Sequence, residues 1–258
     1  MLAVHLYAND CNDLLPPNGD DDDDGDWQPH PQDVEGYWFA GSMYNPADSW
    51  DTSKLADPNF NMLAPYTKRS AGTFRCPGDQ STTTNKGMIY PRIRSYSMNA
   101  AVGTVWAMPG NTECPSNCPN GSPVWGPWLD GTGRHEKNKP WRTYGKISDT
   151  QPPGPSSLWV LVDEDEWSNG RPCFHVDMNR KPTVMFNWPS TYHGFSASFS
   201  FLDGHTEVHK WQDSRTRNVG HRQGIPTPPF WLTYWVPSKG SDNQDIIWMQ
   251  SHTSARSN

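Results

Sequence analysis

The chain has 258 residues, with 34% hydrophobic content, 14 Trp, 25 Pro and 21 Gly. So few aliphatics and so many rings predict one elaborated domain over residues 1–258, with a thin core and long loops pinned by aromatic side chains. A net charge of −7 with scattered Lys and Arg excludes a basic nucleic-acid face and a polybasic membrane-surface segment, and the aromatic content argues against a disordered chain.

Residues 1–17 open the chain order. Ala3, Leu6, Tyr7 and Cys11 fall on one helical stripe, and Pro16-Pro17 is expected to stop the helix. The acidic loop that follows carries Asp20, Asp22, Asp24 and Asp26 around Gly25, a D-x-D-x-D-G pattern whose alternating carboxylates suit Ca²⁺. The twelfth position of an EF-hand loop would be Pro31, so this is not an EF-hand, and a solvated acidic loop is the alternative reading. Val34–Met43 is aromatic and reads as a strand or short helix. Asp48–Leu63 reads as loop with one or two helical turns. Thr73–Cys76 and Arg94–Met98 read as short strands.

Residues 100–140 lack periodicity and are rich in Gly, Pro, Asn and Trp, which predicts an insertion that decorates the domain. Cys114-Pro-Ser-Asn-Cys118 suits a small disulfide loop, because Pro and Asn favour the turn that would bring the thiols together. Zinc and free thiols are the rival readings, and C-x3-C without a second pair nearby is a weak zinc pattern. Trp125 and Trp128 are candidates for an assembly or glycan contact. Ser157–Val162 reads as a buried strand, followed by Asp163-Glu164-Asp165-Glu166. Pro226–Pro237 reads as extended, Asp242–Trp248 as a last helical turn or strand, and residues 250–258 as a frayed tail.

The strongest local signal is the hairpin over residues 193–211. Asp203-Gly204 is expected to form a two-residue type I′ turn, which pairs Phe201 with Thr206, Phe199 with Val208 and Ala197 with Lys210. Alternation then places Phe195, Ala197, Phe199, Phe201 and Val208 on an apolar face. Ser196, Ser198, Ser200, His205, Glu207 and His209 take the other. The fold class this implies is α+β, with the N-terminal helix packed against the aromatic face of an antiparallel sheet.

Chemistry is sparse in the pattern. There is no nucleophile elbow, P-loop, dinucleotide glycine motif or HExxH. A metal-dependent hydrolase would draw on Asp163, Glu164, His193 and His205, and requires them to cluster. His205, Glu207 and His209, at alternate positions of one strand, form a ladder that suits Zn²⁺ or Cu²⁺, or simply a wet face.

His193, nine residues, then Asp203-Gly204 resembles the C-terminal signature of bacterial prepilin-like proteins of the H-x9-DG group, which are similar to type II secretion pseudopilins and type IV pilins. Three further stretches fit the resemblance in order: residues 2–17, Phe74-Arg-Cys-Pro-Gly-Asp79 with Arg94-Ser-Tyr-Ser-Met-Asn99, and Pro155-Ser-Ser-Leu-Trp-Val-Leu-Val-Asp-Glu164. The resemblance implies a pilin-like head and a non-enzymatic subunit that self-assembles into an extracellular filament or a surface or secretion assembly. Its place would be extracellular or at the cell surface, on the periplasmic face if anchored. Export would permit the Cys114–Cys118 disulfide. Pseudopilin heads often hold a structural Ca²⁺, but the acidic run does not match that loop residue by residue. Prepilins begin with a leader and a continuous hydrophobic helix. Only the last turns of such a helix are expected here, since no apolar run approaches the ~20 residues of a membrane span. An extracellular polysaccharide-binding module using exposed Trp and Tyr is the alternative function.

Overall fold

The computed structural model describes residues 1–18, 38–105, 122–132, 135–217, 236–237 and 241–257. The expected calcium ligands Asp20, Asp22, Asp24 and Asp26 lie outside the described residues, as do Cys114 and Cys118. Helix α1 (Leu2–Asp10) is short. It buries Val4, Tyr7 and Ala8, with Cys11 one turn on, while Leu2 and Leu6 face outward at 73% and 42% exposure. Pro16-Pro17 does not end it. Asn12 and Asp13 do, by adopting φ of 54° and 72°, a left-handed conformation that Asn and Asp tolerate. Beyond them the Leu15 amide donates to the Gly145 carbonyl, and the chain runs extended.

Helix α2 (Thr52–Ala56) starts at Asp51, whose side chain accepts from the Ser53 amide. The expected strand at Thr73–Cys76 is instead a 3₁₀ turn, Ala71–Phe74. Strands β1 (Thr82–Asn85) and β2 (Met88–Pro91) form a separate ribbon around Lys86-Gly87. Both turn residues have positive φ, the requirement of a type I′ turn.

The main sheet uses β3 (Tyr96–Asn99), β4 (Trp159–Asp163), β5 (Cys173–Phe174), β7 (Ser196–Phe201) and β8 (Thr206–Lys210), in the order β5-β3-β4-β7-β8. Only β3 and β5 run parallel. A minor pair joins β6 (Val184–Met185) to β9 (Val236–Pro237). The protein is therefore α+β, mostly strand and loop, with few helices.

The hairpin exists, but its register differs by one residue from the expected one. Phe199 pairs with Glu207, Ala197 with His209 and Ser198 with Val208. The Phe201 amide donates to the His205 carbonyl and the Gly204 amide to the Phe201 carbonyl, so Leu202-Asp203-Gly204 is a three-residue loop with Gly204 at φ 98°. The cause is that Gly204 closes the loop in the left-handed position, a connection three-residue hairpins favour. In consequence Val208 sits on the outer face at 59% exposure, and His205, Glu207 and His209 share the inner face with Phe199 and Phe201. Phe195, expected on the apolar face, lies before the strand at φ 65° and is exposed.

The aromatic face is buried, but the rings that cover it come from the C-terminal helix α4 (Gln244–Thr253) rather than from α1. Trp248 meets Phe199 edge-on at 4.9 Å and stacks on His209 at 3.8 Å, and His252 meets Phe201 at 5.8 Å. The Trp159 indole N–H donates to Thr253 Oγ1. Helix α1 instead docks on the turn Pro65–Thr67, with Tyr7 against Tyr66 and the Tyr66 hydroxyl bonded to Asp10. Asn243 caps α4 by accepting from the amides of Asp245 and Ile246. The tail expected to fray is tied down. The Arg142 amide donates to the Ala255 carbonyl, and the Ser257 amide donates to the Pro140 carbonyl. The 100–140 region also contributes to the interior, through Val102, Val124 and Leu129.

Candidate functional site

Alternation along β4 sends Asp163 and Glu164 to opposite faces of the sheet, and this decides what each carboxylate meets. On one side stand Cys76, Asp163 and His193. Cys76 opens a β-turn, Cys76-Pro77-Gly78-Asp79, closed by the Asp79 amide on the Cys76 carbonyl at 3.1 Å. Its own amide donates to Ser95 Oγ, which anchors the turn to the strand β3 approach. Gly78 permits close approach of the third segment, because a Cβ there would lie 3.2 Å from Tyr192 Cβ and 3.4 Å from His193 Cε1. Asp163 is the last residue of β4, and the Ser190 amide and hydroxyl hold its carbonyl and Oδ2 at 2.8 and 2.9 Å. His193 precedes two residues with left-handed φ, Gly194 and Phe195, which redirect the chain into β7.

His193 Nε2 lies 3.1 Å from Cys76 Sγ and 3.5 Å from Asp163 Oδ2. All three ligand-type atoms fall within 4.8 Å of one another. The Gly78 amide donates to Sγ at 3.3 Å. Asp163 Oδ1 is buried and accepts no hydrogen bond of ordinary geometry, although the Cys76 thiol and the Ser95 hydroxyl approach the carboxylate. Burial pushes Asp163 up to about 6, against the opposing effect of Ser190, Cys76, Ser95 and His193. Burial and the Asp163 charge push the Cys76 thiol up to about 11. The same two influences raise Tyr96, which pairs with Asp163 across β3 and β4.

The arrangement is not a nucleophile–base–orienter triad. Such a triad engages the two ring nitrogens with different partners. Here thiol and carboxylate both face Nε2, which cannot accept a proton from one while donating to the other. The atom set is one that clamps three segments together or ligates a metal ion.

Across the sheet both carboxylate oxygens of Glu164 are bonded. It accepts from Ser97 Oγ, from Ser168 Oγ at 2.8 Å and from Asn187 Nδ2 at 2.6 Å. The buried Arg94 donates to Ser97 Oγ and to the carbonyls of Tyr96 and Gly170. Burial raises Glu164 to about 8 and lowers Arg94 to about 10. Asp165, also pushed up by burial to about 7, accepts from the Trp167 amide.

The hydrolase set therefore does not assemble as expected. Asp163 and His193 meet, Glu164 faces away, and His205 sits at the hairpin turn, where Asp203 Oδ1 accepts from its amide. Asp203 is held below the usual carboxylate range by that N–H. The His205-Glu207-His209 ladder is split in role: His205 stacks on Phe201, and His209 stacks on Trp248. Cys76 is the member of the centre that the sequence reading left without a role. Its only signal was its place in the Phe74–Asp79 stretch. Trp125 is 43% exposed with Lys137 Nζ 4.4 Å from its ring, whereas Trp128 packs on Phe186 at 4.5 Å. A cavity of about 530 Å³ between Pro123, Arg142, Tyr144 and Asp149 shares no residue with the Cys76–Asp163–His193 centre.

The fold and this centre define an α+β protein built on a mixed five-stranded sheet, with three distant segments meeting at one histidine nitrogen. No family model matches the chain, and no curated protein or solved structure matches it at significance. Among the described residues no helix is long and apolar enough to cross a membrane.

Proposed function

We propose that the protein is a non-enzymatic, pilin- or pseudopilin-like structural subunit of an extracellular filament or a surface or secretion assembly. One observation carries this reading. Three of the four stretches that resemble the H-x9-DG group, separated by scores of residues, supply Cys76, Asp163 and His193 to one point. Those stretches behave as a single folding device. The outward Leu2 and Leu6 of α1 supply an apolar stripe of the kind that packs helices of neighbouring copies together.

Negative-stain microscopy and size-exclusion chromatography with light scattering test the proposal on the native protein. Polymers or discrete oligomers are expected, and Leu2→Glu with Leu6→Glu should disperse them without unfolding the chain. A native protein that stays monomeric at every concentration sinks the reading.

A further inference from the structure

We propose that Cys76 Sγ, the Asp163 carboxylate and His193 Nε2 form a binding site for one divalent transition-metal ion, with Zn²⁺ the best chemical fit. The first ground is convergence. Bonds of about 2.3 Å to sulfur and about 2.0–2.2 Å to nitrogen and oxygen separate tetrahedral ligands by roughly 3.3–3.7 Å. The observed 3.1 Å from Nε2 to Sγ and 3.5 Å from Nε2 to Oδ2 lie within a few tenths of an ångström of those separations, and Sγ and the carboxylate lie within 4.8 Å of each other.

The second ground is independent of spacing. Asp163 is fully buried, yet its Oδ1 accepts no hydrogen bond of ordinary geometry. A buried carboxylate with one bare oxygen is costly, and a cation bound to that carboxylate lowers the cost by neutralising its charge. The ligand types then choose the ion. A thiolate and an imidazole exclude Ca²⁺ and Mg²⁺, which take oxygen ligands, and favour Zn²⁺ or a neighbouring soft metal. Outer contacts are in place as well: Ser190 Oγ donates to Oδ2, and the Gly78 amide donates to Sγ. His193 remains 37% exposed, so the fourth position opens to solvent and takes water or a donor from another molecule. Binding releases the thiol proton to solvent and fastens the turn at Cys76, the end of β4 and the entry to β7 to one another.

The test uses the full chain, stripped with a chelator and titrated with Co²⁺. One equivalent should produce the visible bands of a four-coordinate ion together with a thiolate-to-cobalt charge-transfer band. Zn²⁺ should displace the Co²⁺, and Ca²⁺ should not. Cys76→Ser should abolish the charge-transfer band. His193→Gln changes a side chain that is partly exposed, so the fold should survive. It should weaken binding by more than the ~10–100-fold typical of losing an outer-shell partner. Absence of the charge-transfer band in the wild-type chain overturns the proposal. So does an unchanged band and affinity in both variants, which would place the ion elsewhere. The site stands or falls independently of assembly, since a monomer that binds metal would keep the site and lose only the filament reading.

Discussion

Asp163 and Asp245 are both buried aspartates that face a histidine beside the hairpin, His193 in one case and His209 in the other, and they are held in opposite ways. Asp245, in the first turn of α4, accepts the amides of Gln212 and Asp213, each at 2.9 Å. Burial opposes its ionisation, but His209 at 3.8 Å, these two N–H groups and Thr216 together outweigh burial and hold the carboxyl below the usual range. Asp163 has one hydroxyl on Oδ2 and nothing of good geometry on Oδ1, so burial prevails and its carboxyl rises. Of two aspartates closed off from solvent, the one that backbone amides reach is a finished structural anchor, and the one that lies deeper and lacks them is unfinished.

Paired substitutions break this comparison most sharply. Asp245→Ala orphans two buried amides that were bonded to a charged group, each bond being worth roughly 1.5–3 kcal/mol, so a loss of about 3 kcal/mol or more is expected in urea unfolding. Asp163→Asn in the metal-free protein removes a charge that burial already disfavours, and its cost should stay below roughly 1 kcal/mol near neutral pH. Equal losses at the two positions would mean that the amide contacts are not what separates them.

The pH dependence should separate the two by sign. Asp245 has a depressed carboxyl, so its contribution is present above the unfolded carboxylate value of about 4 and is lost as pH falls through the folded value. Asp163 has a raised carboxyl, so its contribution is present below about 4 and is lost as pH rises through about 6. Glu164 and Asp165, raised to about 8 and about 7, act in the same direction as Asp163. Metal-free protein should therefore lose stability between about pH 4 and 8, and Asp163→Asn should flatten the part of that slope below about pH 6 while Asp245→Asn should not.

A smaller effect sharpens the Asp163 side alone. A Cβ at Gly78 meets Tyr192 and His193 at 3.2 and 3.4 Å, so Gly78→Ala must displace the histidine segment by a few tenths of an ångström. The expected cost in stability is within about 1 kcal/mol, with a larger proportional loss of Co²⁺ affinity. An unchanged affinity would show that His193 does not depend on that approach.

Legibility in the sequence tracked how local the cause was. The hairpin, the buried strand before the acidic run and the existence of an N-terminal helix follow from periodicity and turn residues within a dozen positions. What failed was non-local. Nothing near Phe199 tells that Trp248, about fifty residues later, covers it rather than α1. Nothing near Cys76 tells that Asp163 and His193 reach it, because the meeting depends on strand order and on the missing Cβ of Gly78. Arg94 reads as an ordinary strand residue, yet it is buried, with its two terminal nitrogens donating to carbonyls of β3 and of Gly170. The hairpin register has a local cause: one residue, decided by whether Asp203-Gly204 alone or Leu202 as well belongs to the turn.

That single residue makes the most delicate prediction, and it reaches back to the Asp245 anchor through His209. With Phe199 opposite Glu207, Val208 points to solvent and His209 lies between Trp248 and Asp245. Val208→Thr keeps the β-branched shape and adds a hydroxyl, which costs little in water and much in a core. Its effect should stay within about 0.5 kcal/mol. His209→Ala removes a ring stacked on Trp248, a contact worth roughly 0.5–1.5 kcal/mol beyond its buried area. It also takes one of the four neighbours that lower the Asp245 carboxyl, so the acid limb of the stability profile should move toward neutral pH in this variant alone. The two-residue turn would reverse the ranking, with Val208 buried beside Phe199 and His209 in water. A double comparison in one urea series therefore reads the register directly.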